Sequence, residues 1–313
     1  MILIAGIASE EPTAQVIDSA ETLGVDFMVF NQREAAYYEL HTSLTNNHLR
    51  ANLCVGGQWI DLTKLDGIYV RMMPPETFPD AQVNGTVHRL SSAMQQRRLF
   101  VNTVFGQLTD LLPVRVLNRP ADMGSNFSKP YQLAAIREAG LGVPTTLITN
   151  QPLAVAAFDD EQGPLIFKSI SSVRSIVKRL DASYRPRLHH LSALPTQFQT
   201  CLQGHNIRVH VVGDALFAAH IDSTNVDYRY ASSDGGNTSM YPVELPQAVE
   251  QQCFALSKSL RLPLCGIDLF ETESGEFCCF EVNPSPGYTY FQNEAGLPIS
   301  DAIVRYLATG TAR

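Results

Sequence analysis

The sequence predicts an α/β fold, with a small Rossmann-like domain first and a larger α/β unit after it. Three observations carry this reading. Short apolar runs alternate with a helical pattern in the first third. Lys129 stands at a proline-led helix start and Lys168 at the end of an apolar run. Near the end, two apolar runs flank a turn and carry acids at matching positions. Strands alternating with helical segments are the pattern of βαβ units.

With 313 residues, 45% hydrophobic and 17% charged, the chain suits a globular enzyme of two or three subdomains. The net charge of -8 argues against general attraction to nucleic acid or an anionic membrane. Met1 to Ile7 is apolar but short, and Ser9-Glu10-Glu11-Pro12 ends it, so it reads as a buried strand rather than a signal peptide. No apolar run is long enough to span a bilayer. Cys54, Cys201, Cys253, Cys265, Cys278 and Cys279 show neither C-x-x-C nor metal-ligand spacing and read as fillers in a reducing cytoplasm. The expectation is a cytoplasmic protein with no membrane or nucleic-acid partner. The oligomeric state is open, a homodimer included.

In order, Ile2 to Ile7 reads as a strand, Thr13 to Leu23 as a helix, and Val25 to Phe30 and Asp66 to Arg71 as strands. Helical segments follow near Gly85–Phe100 and Thr103–Leu112. No G-x-G-x-x-G occurs, so no dinucleotide is assigned. Around Val116 to Pro120 the chain crosses into the second unit. Ser128 is placed to cap a helix over Tyr131–Ala139, with Pro130 in its first turn and Gly140-Leu141-Gly142 stopping it. Strands are read at Thr145–Thr149, Leu165–Lys168, Gln197–Leu202, Ile207–Val212, Ala215–Ile221, Cys265–Phe270 and Phe277–Val282. Helices are read at Glu250–Leu260 and Ile299–Leu307, and a mobile loop at Ser232–Asn237.

The strand pair near the end carries the most information. With the turn centred between Ser274 and Gly275, Asp268 faces Glu281, and Asn283 shares the face of Glu281. Opposed residues have Cβ atoms about 5 Å apart. Among Ile267, Leu269, Phe270 and Phe280, two such carboxylates need a cation or a proton. Oxygen ligands favour Mg²⁺ or Mn²⁺. The alternative is a solvated surface hairpin, which the apolar neighbours disfavour.

Lys129 lies where helix N–H groups favour anions. Lys168 precedes Ser169 to Ser175, whose hydroxyls and N–H groups suit phosphate, Ser171 and Ser172 among them. Exposed backbone at the end of the strand holding Gln199, Thr200, Cys201 and Leu202 suits an adenine edge. His205, His210 and His220 sit on nearby strands, and a lone strand histidine is more often structural. His220 and Asp222 share a face and are the candidates for handling a second substrate.

Taken in order, these segments resemble the ATP-grasp superfamily over nearly the whole chain. The segments at 128–152 (SKPYQLAAIREAGLGVPTTLITNQP), 217–231 (FAAHIDSTNVDYRYA) and 280–307 (FEVNPSPGYTYFQNEAGLPISDAIVRYL), with DGIYVRMMPP at 66–75, are similar to its RimK-like branch and, within it, to graspetide peptide macrocyclases. The resemblance implies an ATP-grasp fold with a Rossmann-like pre-ATP-grasp domain over 1–117. The ATP-grasp domain would cover 118–313, in subdomains of roughly 118–198 and 199–313. It implies that Lys129 and Lys168 contact phosphates, that backbone near Thr200 to Leu202 reads adenine, and that Asn206 stands where many relatives carry a ribose-binding acid. Asp268, Glu281 and Asn283 would hold Mg²⁺ (or Mn²⁺), and Arg208 and Arg229 would bind the acyl phosphate or the incoming carboxylate. The implied reaction joins a peptide or small-molecule carboxylate to an amine, or a hydroxyl, at the expense of ATP. Macrocyclisation of a precursor peptide and non-catalytic ATP binding are the alternatives.

Overall fold

A computed structural model describes residues 1–46, 48–74, 82–83, 86–87, 90–170, 176–223 and 238–313. The chain opens with β1 (Ile2–Gly6), α1 (Glu11–Thr22) and β2 (Phe27–Asn31), and β1 and β2 run parallel. An antiparallel insertion of β3 (Glu39–Thr45), β4 (His48–Val55) and β5 (Gln58–Asp61) follows. β6 (Gly67–Arg71) then returns beside β1. A short pair, β7 (Gln82–Val83) and β8 (Thr86–Val87), precedes α2 (Ser92–Thr109) and β9 (Arg115–Leu117). The result is an open parallel sheet ordered β2-β1-β6-β9. β1 is apolar throughout because both its edges are paired and all five of its residues are buried.

Two sequence expectations change in this region. The two helices read over 85–112 are one helix, α2. Ser91 starts it by accepting the Met94 N–H at 3.3 Å. It continues past Phe100 without a break, and Asn102 turns its amide onto the Arg98 and Gln32 carbonyls at 2.9 and 3.1 Å. The insertion β3–β5 gave little signal, since β3 is largely exposed and lacks a clean apolar alternation.

The second half has two antiparallel sheets. The first gathers β10 (Thr146–Thr149), β11 (Leu165–Ser169), β12 (Lys178–Arg179) and β13 (Thr196–Thr200) in the order β10-β13-β11-β12. Two helices belong to this stretch, α3 (Lys129–Glu138) and α4 (Pro152–Gln162). Ser128 occupies the cap position of α3 but makes no side-chain cap bond, so Pro130 in the first turn sets its start. The larger sheet contains β14 (Gly204–Val212), β15 (Ala215–Ser223), β16 (Thr238–Pro242), β17 (Leu264–Thr272) and β18 (Phe277–Asn283), ordered β16-β15-β14-β17-β18. α5 (Gln247–Ser259) lies between β16 and β17 in the chain, and α6 (Thr289–Ala295) and α7 (Ile299–Thr309) end it. The loop read at Ser232–Asn237 falls outside the described residues.

Alternation along β14 assigns the two faces of the large sheet. Ile207, Val209 and Val211 pack with Ala135, Ile136, Val249, Cys253 and Leu256 from α3 and α5. On the other face, Val212 and Leu264 meet Phe291 and Ile303 of α6 and α7, and the same cluster takes in Ile2, Ile4 and Tyr69 of the first sheet. α6 and α7 cover that face as far as Arg208, whose guanidinium carbon lies 5.7 Å from the centre of the Phe291 ring. Among the described residues no helix is long and apolar enough to cross a membrane. All six cysteines are free, and burial pushes the Cys253 and Cys265 thiols up to about 12, which keeps them inert fillers.

Asn118, 1% exposed, ties the connection between the two halves to the hairpin. Its amide donates to the Leu264 and Pro284 carbonyls at 2.5 and 2.6 Å, and its oxygen accepts the Leu264 N–H at 3.1 Å. Asn118→Leu strands three buried backbone groups, so a loss of about 2–4 kcal/mol in urea unfolding is expected. A change under about 0.5 kcal/mol would contradict this tie.

Candidate functional site

The β17–β18 hairpin pairs Asp268 with Glu281, as the sequence suggested, but by a different route. The turn is a three-residue one. Gly275 has φ +80, its N–H donates to the Thr272 carbonyl at 2.8 Å, and the Thr272 N–H donates to Glu276. This sets Leu269 against Cys279 and Phe270 against Cys278, one residue out of the expected register. A bulge at Phe280 then restores it, so Asp268, Ile267 and Gly266 face Glu281, Val282 and Asn283. The bulge also rephases the strand. Cys279 and Val282, three apart, both enter the core, which leaves Glu281 and Asn283 on the opposite face.

A row of charge runs across the sheet at this level. Arg208 on β14 pairs with Asp268 on β17, which pairs with Glu281 on β18. The Arg208 Nη1 donates to Asp268 Oδ1 at 2.5 Å, and Arg208 is 6% exposed. Gly266 makes room for the guanidinium. A Cβ there would stand 2.0 Å from Arg208 Nη2 and 2.9 Å from Pro286 Cβ. Behind it, His210 is fully buried, and its Nε2 accepts the Arg208 Nε at 3.4 Å. Burial, and then the Arg208 charge, hold this imidazole well below its ordinary pKa, so it stays neutral.

Two lysines from different elements reach the far end of the row. Lys129 Nζ lies 3.1 Å from Glu281 Oε2, and Lys168 Nζ lies 4.0 Å from the same oxygen. Both lysines are buried, at 9% and 6% exposure. Lys168 alternates with Phe167, which packs behind the smaller sheet, and so points away from that core. Lys129 is set by Gln132, one helical turn on. The Gln132 amide donates to the Val282 carbonyl at 2.7 Å and accepts the Val282 N–H at 3.2 Å, acting as a strand partner for the free edge of β18. Gln132 was missed from the sequence, although its i+3 spacing from Lys129 was the available signal.

The other candidates fall as follows. Asn206 shares the face of Arg208 and pairs with Phe270, two pairs beyond the charge row. Gln199 is 1% exposed and donates to Thr146 Oγ1 at 3.0 Å. The N–H groups of Thr200 and Cys201 bond to the Thr145 and Pro164 carbonyls at 3.1 and 2.8 Å. Leu202 makes no backbone bond among the described residues, so the open edge is there. The chain then enters the large sheet at Gly204, φ +146, where a Cβ would stand 2.0 Å from the Glu271 carbonyl oxygen. His220 lies on the far face of the sheet from Arg208. It pairs with Ile207, packs 5.0 Å from His205 and stacks at 4.8 Å on Tyr241. Burial and His205 lower its pKa, partly opposed by Asp222 and Glu271. The structure therefore does not bring His220 to the charge row. Ser171, Ser172 and Arg229 lie outside the described residues.

The donor set fits a hard divalent cation. Asp268, Glu281 and Asn283 offer oxygen ligands on one face, Asn283 two pairs along the ladder from the Asp268–Glu281 pair. Among the described residues no three His, Cys, Asp or Glu side chains gather, so a third oxygen beside the two carboxylates would have to come from the Asn283 amide. Its Oδ1 already accepts the Ser285 N–H at 3.0 Å, which fixes its direction and leaves it a lone pair.

A family model described as the RimK-like ATP-grasp domain matches residues 128–307. A probable alpha-L-glutamate ligase of Mannheimia succiniciproducens is 26% identical over 201 residues, 61% of this chain and 66% of that protein. Human beta-citrylglutamate synthase B is 24% identical over 206 residues, 62% of this chain and 53% of that protein. The chain thus spans just under two thirds of the first of these relatives and about half of the second. The macrocyclase MdnC bound with precursor peptide MdnA, from Microcystis aeruginosa MRC, superposes with a TM-score of 0.76 at 22% identity, over 99% of this chain and 100% of that one. The ATP-grasp ligase PsnB, complexed with minimal precursor, Mg and ADP, gives 0.75 at 26%, over 98% and 96%.

Gly266→Ala tests the row directly. Its methyl group displaces the Arg208 guanidinium from Asp268, and ATP turnover is expected to fall by about tenfold or more with an unchanged circular dichroism spectrum. Unchanged turnover would show that the Arg208–Asp268 contact is dispensable.

Proposed function

We propose that this chain, which belongs to the RimK-like ATP-grasp family, is an ATP-dependent carboxylate–amine ligase acting on a peptide or amino-acid substrate through an acyl phosphate. The observation that carries the reading is the opposed Asp268–Glu281 pair, flanked by Arg208 on one side and by Lys129 and Lys168 on the other.

Lys129 and Lys168 hold the nucleotide's phosphates, exchanging their contact with Glu281 for phosphate oxygens. Backbone near Thr200 to Leu202 reads adenine, Asn206 takes the ribose, and Ser171 and Ser172 cover the phosphates. Asp268, Glu281 and Asn283 hold Mg²⁺ (or Mn²⁺), which when bound offsets charge on the transferring phosphoryl group. Arg208, buried and fixed by Asp268 and by the neutral His210, presents a guanidinium to the substrate carboxylate, and Arg229 assists. A carboxylate oxygen attacks the terminal phosphorus, ADP leaves, and the resulting acyl phosphate reacts with the amine to give an amide and phosphate. The likeness to PsnB complexed with its precursor favours a peptide as the carrier of the carboxylate. Closure of a macrocycle within one peptide is the same chemistry with both groups on one chain.

ADP release should be measured with ATP and Mg²⁺ against L-glutamate and acidic peptides. Substrate-stimulated release is expected, reduced about a hundredfold or more in Asp268→Asn. A fully active variant would overturn the metal assignment, and nucleotide binding without release would favour a non-catalytic binder.

A further inference from the structure

The first sheet winds from β1 to β2 on one side and returns at β6 on the other, so its order reverses between β1 and β6. In open parallel sheets the crevice outside the strand ends at such a point is where ligands bind. Two charged side chains border it here. Glu10 stands at the N-cap position of α1, with no side-chain cap bond, and Arg71 ends β6. Arg71 Nε and Nη2 each lie 2.9 Å from Glu10 Oε1. Its Nη1 donates to Ser285 Oγ at 3.1 Å and to the Ser285 and Pro286 carbonyls at 3.4 and 3.0 Å.

The crevice therefore opens against the segment that follows Asn283. On its other side, Pro286 and the Arg208 guanidinium both lie over Gly266. Two Arg–carboxylate pairs, Arg71–Glu10 and Arg208–Asp268, thus flank Ser285-Pro286. The floor between β1 and β6 is closed, since a Cβ on Gly6 would stand 2.8 Å from the Arg71 carbonyl oxygen.

Glu10 is used asymmetrically. Oε1 takes both arginine contacts, whereas Oε2 has only Thr13 Oγ1, at 3.5 Å, among the described residues. Its side chain is 30% exposed. A purely structural tie favours the two-oxygen fork. One oxygen held and one open suits a carboxylate that receives a cationic ligand beside the reacting centre.

Resting on the ligase reading above, we propose that Glu10 and Arg71 form the acceptor subsite. Glu10 Oε2 receives the acceptor's ammonium, and Arg71 fixes Glu10 and links it to Ser285. The ammonium sheds one proton to solvent to become nucleophilic. Its nitrogen then bonds the acyl carbon, the bond from that carbon to the phosphate oxygen breaks toward phosphate, and the second proton leaves with phosphate.

Hydroxylamine separates the two halves of the reaction, because it captures an acyl phosphate as a hydroxamate and needs no ammonium subsite. The probe is an acidic peptide carrying one lysine, with ATP and Mg²⁺, with and without hydroxylamine. The wild type should form hydroxamate and, without hydroxylamine, the lysine amide. Glu10→Gln should keep hydroxamate formation within about twofold while amide formation falls about tenfold or more, with a raised KM for the amine. Should Glu10→Gln fold poorly, Glu10→Asp, which keeps the charge but retracts the oxygen, carries the same comparison. Equal loss of both products, or loss of neither, would overturn the acceptor subsite. No hydroxamate from the wild type would overturn the ligase reading, and this inference with it.

Discussion

Glu281 is the point on which the site depends. Its carboxylate is opposed to Asp268 on the neighbouring strand and is met by Lys129 from α3 and Lys168 from β11. Two like charges about 5 Å apart repel by roughly 3 kcal/mol at an effective dielectric constant of about 20. The repulsion is tolerable because cations stand at both ends of the row, Arg208 beside Asp268 and the two lysines beside Glu281. The row therefore sets three cations against two carboxylates, and in the proposed reading Lys129, Lys168, Asp268 and Glu281 are the groups that meet phosphate and a divalent cation.

Holding that balance requires polar groups buried at fixed positions, and each has its own support. Gln132 completes the free edge of β18 and so sets α3, and with it Lys129, against Glu281. Asn118 bonds both strands' flanks at once. Gly266 leaves the space that the Arg208 side chain crosses, and the neutral His210 accepts from its Nε. Every one of these contacts uses a buried donor or acceptor whose loss leaves an unpaired group in a dry interior.

The chemistry-bearing residues were legible where local pattern and geometry coincide. Lys129 was marked by Pro130 and the helix start, and Lys168 by the apolar run before it. The Asp268–Glu281 pairing was legible too, although its derivation assumed a regular hairpin. The three-residue turn shifts the register by one, and the bulge at Phe280 shifts it back. No single-sequence rule places such a bulge. His220 shows the limit of strand parity, since β15 is apolar on both faces and only its pairing with Ile207 decides the side. The long helix α2 was read as two, whereas the Asn102 amide at the expected break bonds one carbonyl inside the helix and one outside it, those of Arg98 and Gln32. Gln132 is a polar residue on a helix whose role appears only once β18 lies beside it.

The central claim is that the Asp268–Glu281 pair makes nucleotide binding depend on a divalent cation. Calorimetric titration of ATP with and without Mg²⁺, on the wild type and Glu281→Gln, tests it most directly. The wild type should bind ATP about tenfold or more tightly with Mg²⁺. The variant should lose that enhancement while retaining cation-free binding, because its lysines no longer face a carboxylate. Equal enhancement by Mg²⁺ in both proteins would contradict the account.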